Sequence, residues 1–383
     1  MPKNRRLISK SITHQDIAHR CGLSRSTVSR ALLDDPTVRE ETRVRVQQVA
    51  REMGYNAAAQ ESARRLVLRQ YGKVPAHYVI AVLMAPDSCL SRYDARVFSG
   101  IWQEAYARGY ALVTTYLKDG ADTQLALRFP PVLARADVDG IIITNLPPQY
   151  INPLLQAFIQ DNTIGGMPLV CLFSYEPTEI IAVIPDYFQV GYQTGRHLLA
   201  LGHRHVLHFT YTAERSPTDE RLAGMAAAYR EMRLDARPYL HPFPLYDLIT
   251  NPHLITAYLT EHATTPEQAR RHPLVAYVLE HPEVTAVVGI NDATAINACC
   301  LFETAGFRVP EDISVIGCDD TDPMSGPKMA NRLTTVRLPL EEIGRLAVRR
   351  VIAQAEQGEV ASEQVVLPVE LIPRATSGPA RMG

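Results

Sequence analysis

The chain has 383 residues, 46% hydrophobic and 21% charged, which is too long for one compact domain, ordinary for a globular protein, and without the run of roughly 20 apolar residues that a membrane span needs. Its net charge of −2 hides an asymmetry: residues 1–70 hold 14 Lys and Arg against 7 Asp and Glu, and the remainder holds 25 against 34. A basic head on an acidic body is the distribution of a protein whose head alone meets phosphate.

The opening segment, MPKNRRLISKSITHQD, is basic but has no apolar run behind it, so it does not read as a secretory signal and a cytoplasmic location is expected. The six cysteines, Cys21, Cys89, Cys171, Cys299, Cys300 and Cys318, make no CxxC pair and have no metal-ligand spacing. They read as reduced thiols.

The first element in chain order is a helix from His14, with Thr13 as cap, Asp16 as capping-box partner, Ile17, Ala18 and Cys21 as apolar face and Gly22 as stop. Ser24 caps a second helix whose Val28, Ala31 and Leu32 face the first. The short turn between them forces a steep crossing, as in a helix-turn-helix. A third helix runs from Glu40 to Met53, with Val38, Thr42, Val46, Val49 and Met53 as its stripe and Gly54 as its end. The second helix presents Arg25, Ser26, Ser29 and Arg30 outward. Arg pairs with the O6 and N7 acceptors of guanine in the major groove, and hydroxyls bind phosphate. Taken alone, such a helix is as well read as a solvated face.

The whole run IAHRCGLSRSTVSRALLDDPTVREETRVRVQQVAREMGY resembles the DNA-binding head of the lactose-repressor (LacI/GalR) family of bacterial regulators. The matching pieces are Cys21-Gly22-Leu23-Ser24, Ser26-Thr27-Val28-Ser29-Arg30, Glu41-Thr42-Arg43 and Met53-Gly54-Tyr55. The resemblance implies base reading by Arg25, Ser26 and Arg30, with Ser24, Thr27 and Ser29 holding or capping against the backbone. It departs at Leu33, where the family has Asn, and at Asp34, where it has Gly; Asp tolerates the left-handed conformation required there. After Tyr55 the family places a hinge helix with a Leu wedged into the minor groove. Ala63, Arg64 and Leu66 supply that pattern, later than usual and without the family's proline. Leu66 reads either as the wedge or as a residue packing hinge to hinge within a dimer.

From His77, strand-length apolar runs alternate with helical segments: Tyr78 to Met84, Ala111 to Thr115, Gly140 to Thr144, Leu169 to Phe173, Ile181 to Ile184, His205 to Thr210, Ala286 to Gly289 and Ser314 to Gly317. The alternation predicts α/β architecture with parallel sheets flanked by helices. Ligands of such sheets bind beyond the strands' carboxyl ends, where Asp186, Asn291-Asp292 and Asp319-Asp320 stand. Asp319, Asp320 and Asp322 admit three readings: a divalent-metal site, acceptors for ligand hydroxyls, or turn caps.

Several pieces resemble the same family's effector core: Asp186 with Gly191, Leu201-Gly202-His203-Arg204, Glu220-Arg221-Leu222-Ala223-Gly224, Asn291-Asp292, Ile313 to Asp320 and Leu333-Thr334-Thr335-Val336. That core is two-lobed and periplasmic-binding-protein-like. Position by position, the resemblance makes Arg221, Asn291 and Asp319 effector ligands in the second lobe, and Tyr93 and Asp94 in the first. Arg beside Asn and Asp suits vicinal hydroxyls, which favours a sugar. Phe173 stands where the family often has Asp, and residues 237–281 are longer and richer in His and Pro than usual.

The run His203, His205, His208 does not assemble a metal site, since strand alternation puts His208 on the opposite face. Cys299 and Cys300 read as small buried core residues, and Gly165-Gly166 lacks the strand-then-helix setting of a dinucleotide loop. No catalytic residue, cofactor or metal is expected.

The expected organisation is an all-α helix-turn-helix head over 1–55, a hinge over 56–76, an effector-binding and dimerisation core over 77–376 and a tail over 377–383. Within the core, 77–185 plus 337–360 form the first lobe and 186–336 plus 361–376 the second. The expected function is that of a homodimeric transcriptional repressor on near-palindromic operator DNA, tuned by a small-molecule effector. The alternatives are a sugar-binding transport protein or a carbohydrate-active enzyme on the same core.

Overall fold

The computed structural model describes residues 12–32, 38–53, 55, 77–84, 91–116, 137–144, 167–173, 180–210, 217–244, 264–326, 330–357 and 363–381. They belong to two units, one ending at Ala76 and one beginning at His77. Leu33, Asp34, Gly165, Gly166, and the hinge with Leu66 lie outside the described residues.

The head holds α1 (His14–Cys21), α2 (Arg25–Leu32) and α3 (Glu40–Glu52). Thr13 starts α1 with the expected capping box: its N–H donates to Asp16 Oδ2 at 2.8 Å, and the Asp16 N–H donates to Thr13 Oγ1 at 3.3 Å. Gly22 ends the helix at φ 65°, where a Cβ would be strained. Ile17, Ala18 and Cys21 from α1, Val28 and Ala31 from α2, and Val46 and Ala50 from α3 form one core with Val38.

The second unit begins with β1 (Val79–Met84), α4 (Arg92–Ala107), β2 (Ala111–Tyr116), β3 (Gly140–Ile143), β4 (Leu169–Leu172) and β5 (Ile181–Pro185). The chain continues through α5 (Tyr187–Ala200), β6 (His205–Thr210), α6 (Pro217–Glu231), β7 (Leu240–Pro244), α7 (Pro266–Arg271), α8 (Pro273–Glu280), β8 (Val284–Val288), α9 (Asp292–Thr304) and β9 (Ser314–Asp319). It closes with β10 (Thr334–Arg337), α10 (Leu340–Gln357), β11 (Gln364–Leu367) and β12 (Glu370–Ile372).

Two sheets result, ordered β11-β5-β4-β3-β1-β2 and β12-β10-β9-β8-β6-β7. The order is the same in both, strand for strand, and every pairing is parallel except β10 with β12. Strands β3, β4, β5 and β9 are buried along their whole length, as helices on both faces require.

The chain passes between the sheets three times, at Asp186, between β10 and α10, and between β11 and β12. This corrects part of the assignment of residues 361–376 to the second lobe: Gln364–Leu367 is the edge strand of the first sheet, while Glu370–Ile372 joins the second. Its alternating, half-exposed pattern gave no buried run to announce it. Strand β7 was also missed; Pro242 and Pro244 argue against a central strand, but an edge tolerates them.

Each lobe joins its first helix to a second one through paired glycines. In the first lobe a Cβ on Gly100 would collide with the Glu341 carbonyl, and one on Gly344 with the Val97 carbonyl. In the second lobe Gly191 meets the Arg221 carbonyl and Gly224 meets the Phe188 carbonyl in the same way. Backbone therefore packs on backbone at both crossings, fixing the amino ends of these helices where they face the space between the lobes.

Candidate functional site

In the head, Ser24 Oγ accepts from the Thr27 N–H at 3.1 Å and lies 2.8 Å from both Ser26 Oγ and Thr27 Oγ1. One hydroxyl thus caps α2 and gathers two others at its amino end, a pattern suited to phosphate. Arg25, Ser26 and Arg30 are exposed, Ser29 and Thr27 partly so, while Val28 and Ala31 are buried on the opposite side. Neither Arg25 nor Arg30 has an ion-pair partner among the described residues. The helix therefore offers free guanidinium groups on a rigid, apolar-backed support.

Of the residues predicted to hold an effector, Tyr93, Arg221 and Asp319 come together between the lobes, with Asp94 beside Tyr93, while Asn291 precedes α9 and follows Ile290, whose carbonyl Arg221 holds. Tyr93 packs against Phe173 with ring centroids 5.2 Å apart. Phe173 directly follows β4 at φ 63°, a conformation costly for a bulky side chain, which turns its ring out of the strand's alternation. Burial pushes the Tyr93 phenol well above its usual range, with the neighbouring Tyr187 and Asp319 adding to the effect.

Asp94 is first a helix residue. Its N–H donates to Ser91 Oγ at 2.9 Å, and its Oδ2 accepts from that hydroxyl at 2.5 Å. Its other oxygen, Oδ1, is buried with no hydrogen-bond partner among the described residues. Burial pushes the carboxyl up to about 6, against the pull of Ser91.

Arg221 lies over the ring of Tyr187 at 5.0 Å, and its Nη1 donates to the Ile290 carbonyl. Tyr187 is the site residue that sequence reading missed. It follows Asp186, whose side chain caps α5 by accepting from the Gln189 N–H at 2.9 Å. Its position two residues past a strand end was the available signal, hidden behind the acidic neighbour. Tyr187 and Tyr93 each perturb the other's phenol, so the two lobes come together at a pair of tyrosines.

Asp319 is the last residue of β9, which runs two residues beyond the expected end at Gly317, and sits at φ 108°. Burial holds its carboxyl well above the usual range, Asp292 pushes the same way, and Arg221 opposes them. Asn291 departs from its expected role, since its carbonyl oxygen accepts from the Thr294 N–H at 2.9 Å as the cap of α9. Its amide NH2 and the second lone pair of that oxygen remain for a ligand.

Asp292, after β8, and Asp320, after β9, have structural duties. Asp292 accepts from the Thr321 N–H at 2.7 Å, the Asp322 N–H at 3.3 Å and the Thr335 hydroxyl at 2.5 Å. Asp320 binds Arg337 Nε at 2.8 Å and Arg374 Nη2 at 2.7 Å, and its carbonyl accepts from Arg96 Nη1 at 3.1 Å. Arg96 also binds Glu341 at 2.6 Å, so one network spans both lobes and two of the three crossings. At the mouth, Arg92 of the first lobe faces Asp322 of the second at 3.7 Å, beside an open depression of about 300 Å³ lined by Ala293, Ile296, Asn297 and Pro323.

The histidine run disperses. His203 is buried between Thr285 Oγ1 at 2.8 Å and the Gly378 carbonyl at 2.9 Å, and His208 is buried in the second lobe. Cys299 is buried as expected but Cys300 is exposed, one helical step having turned it away.

Residues 13–57 match the family model for bacterial regulatory proteins, lacI family, and residues 196–377 match that for a periplasmic binding protein-like domain. The HTH-type transcriptional repressor PurR of Serratia proteamaculans (strain 568) is 25% identical over 354 residues, covering 91% of this chain and 93% of that protein. The repressor of the same name from Erwinia tasmaniensis is 26% identical over 371 residues, covering 96% and 98%. Among solved structures, a lac repressor dimer bound to operator and the anti-inducer ONPF superposes with a TM-score of 0.66 at 22% identity, over 96% of this chain and 100% of that one. A complex of the transcriptional regulator CelR with cellobiose gives 0.60 at 21% identity, over 95% and 99%.

Proposed function

The chain belongs to the lacI family of bacterial regulatory proteins, and we propose that it is a sequence-specific transcriptional repressor whose hold on operator DNA is set by a small molecule bound between its lobes. The observation that carries this reading is the pairing of two sites on one chain: Arg25 and Arg30 on α2, exposed and without ion-pair partners among the described residues, and the cluster of Tyr93, Phe173, Tyr187, Arg221 and Asp319 between the sheets.

The cluster supports a sugar as effector. Aromatic faces cover the apolar side of a pyranose ring, while a guanidinium and carboxyls exchange hydrogen bonds with its hydroxyls. Asp94 Oδ1, buried without a partner among the described residues, is an acceptor of the kind a ligand hydroxyl satisfies. The related CelR was solved with cellobiose. Like the lac repressor dimer on its operator, the chain acts as a homodimer, placing two α2 helices on the half-sites of a near-palindrome. Work on DNA calls for a cytoplasmic location, and the engagement of the Asp292 and Asp320 carboxylates in hydrogen bonds within the fold supports a regulator over an enzyme.

The test is selection of an operator from random duplexes with the full-length chain, followed by gel-shift titration against mono- and disaccharides. A selected palindrome whose affinity changes at least tenfold with one sugar, and stops responding in Arg221→Ala, supports the reading. Absence of sequence preference at physiological salt overturns it.

A further inference from the structure

A third cluster of functional groups lies at the opposite ends of the second lobe's strands. His205 is the first residue of β6, His241 the second of β7, and Glu283 immediately precedes β8; β7, β6 and β8 are neighbours in the sheet. The cleft residues Ile290 and Asp319 follow or end their strands, so this cluster sits at the amino-terminal edge, away from the cleft.

We propose that His205, His241 and Glu283 form a binding site for a first-row divalent transition metal of the zinc class. Their donor atoms all lie within 4.8 Å of one another. His205 Nδ1 and His241 Nε2 are 3.1 Å apart, close to the roughly 3.3 Å edge of a tetrahedron with zinc–nitrogen distances near 2.0–2.1 Å. At that separation the N–H of one neutral imidazole bonds the lone pair of the other; a cation takes the place of that proton, which moves to the other nitrogen of the same ring.

The surroundings have the character of a second shell. Tyr277 OH is 2.9 Å from His241 Nδ1, which fixes that ring and leaves Nε2 turned toward His205. His281 Nδ1 is 3.2 Å from Glu283 Oε1 and holds the carboxylate. The β6–β8 ladder slips register between His205 and Val206, the kind of irregularity by which sheets re-aim a side chain. His205 and His241 are half-buried and Glu283 exposed, which leaves an entry path. Two imidazoles and one carboxylate select zinc, nickel, cobalt or copper over magnesium or calcium, and leave a fourth position for water.

The test uses the full-length chain stripped with chelator and titrated with Zn2+ by calorimetry and with Co2+ by visible absorption. One ion per chain is expected, with a rise in thermal midpoint on Zn2+ addition. His205→Gln and His241→Gln should each weaken binding by tenfold or more, and Tyr277→Phe by less. Should a glutamine variant fail to fold, carbethoxylation of the wild-type chain decides: Zn2+ should protect His205 and His241 while leaving the reactivity of His197 unchanged. Lack of saturable Zn2+ and Co2+ binding, undiminished binding in the His205→Gln, His241→Gln double variant, or lack of protection overturns the site.

Discussion

Gly191 of α5 lies directly against the backbone carbonyl of Arg221 on α6, with no room for a Cβ between them. The contact that packs two helices is therefore also the one that sets where the Arg221 guanidinium sits over Tyr187. Within a helix Ala is favoured over Gly by about 1 kcal/mol. Overpacking a backbone contact costs about 1–3 kcal/mol, so the clash outweighs the propensity gain. Gly191→Ala is expected to lower the urea midpoint and to weaken effector binding by an order of magnitude, because α6 must back away carrying Arg221 with it. A variant as stable as wild type with unchanged ligand affinity would show that the crossing does not position the arginine.

On the head, Arg30→Ala should cost about 1–3 kcal/mol of operator affinity and relax preference at one position per half-site. Ser24→Ala should act differently, lowering the stability of the head by about 1 kcal/mol through loss of the α2 cap, as its Oγ bonds to the Thr27 N–H and both neighbouring hydroxyls imply. Gel shifts on operator and on random duplex separate the two effects. Equal losses on both DNAs for Arg30→Ala would make that residue a phosphate contact.

These two sites were not equally legible in the sequence. The head was, because Thr13, Asp16, Gly22 and Ser24 act on neighbours within a few residues, and local hydrogen bonds leave local signatures. Most of the central parallel strands were also plain as buried runs, but the buried four-residue β10 was not read as a strand, and β7, β11 and β12 were hidden by prolines or by half-exposed edges. The cleft was legible in its residues but not in their duties. Asn291 and Asp292 stand side by side after one strand, yet one caps α9 and the other pins β10 and the loop after β9, and only long-range pairing reveals this. His205, read with its sequence neighbours His203 and His208, finds its partners on β7 and before β8 instead.

Asp320 joins Arg337 of one crossing to Arg374 beyond another, and its carbonyl takes Arg96 from the first lobe. Its side chain is 9% exposed and that of Arg374 19%, so removing the carboxylate leaves a largely buried cation unpaired, at a cost of about 1–3 kcal/mol. Asp320→Ala should therefore loosen the link between lobes more than it weakens the pocket. Operator affinity without effector should shift, and the ratio of affinities with and without effector should fall, while direct effector binding changes little. An unchanged ratio would remove this network from the signalling route.

Asp292 makes the strongest case for pH dependence. Burial pushes its carboxyl up to about 7, against the hydrogen bonds from Thr335, Asp322 and Thr321 and with the help of Asp320. A carboxyl raised in the folded state stabilises it fully below its unfolded value, near 4, and loses that contribution as pH climbs through about 7. His208 works in the opposite sense: burial pushes it down to about 4, so its contribution is present above about 6.5 and is lost as pH falls. A single stability curve mixes the two, and the informative quantity is the difference between wild type and Asp292→Asn. Asparagine keeps an oxygen for the Thr321 and Asp322 N–H groups and turns its NH2 toward the Thr335 hydroxyl, which can accept. From pH 5 to pH 8 the variant should gain on wild type by an amount on the order of a few kcal/mol, since each pKa unit is worth about 1.4 kcal/mol. Urea unfolding at both pH values measures it, and a difference constant across that range would mean that Asp292 does not bind its proton within the fold.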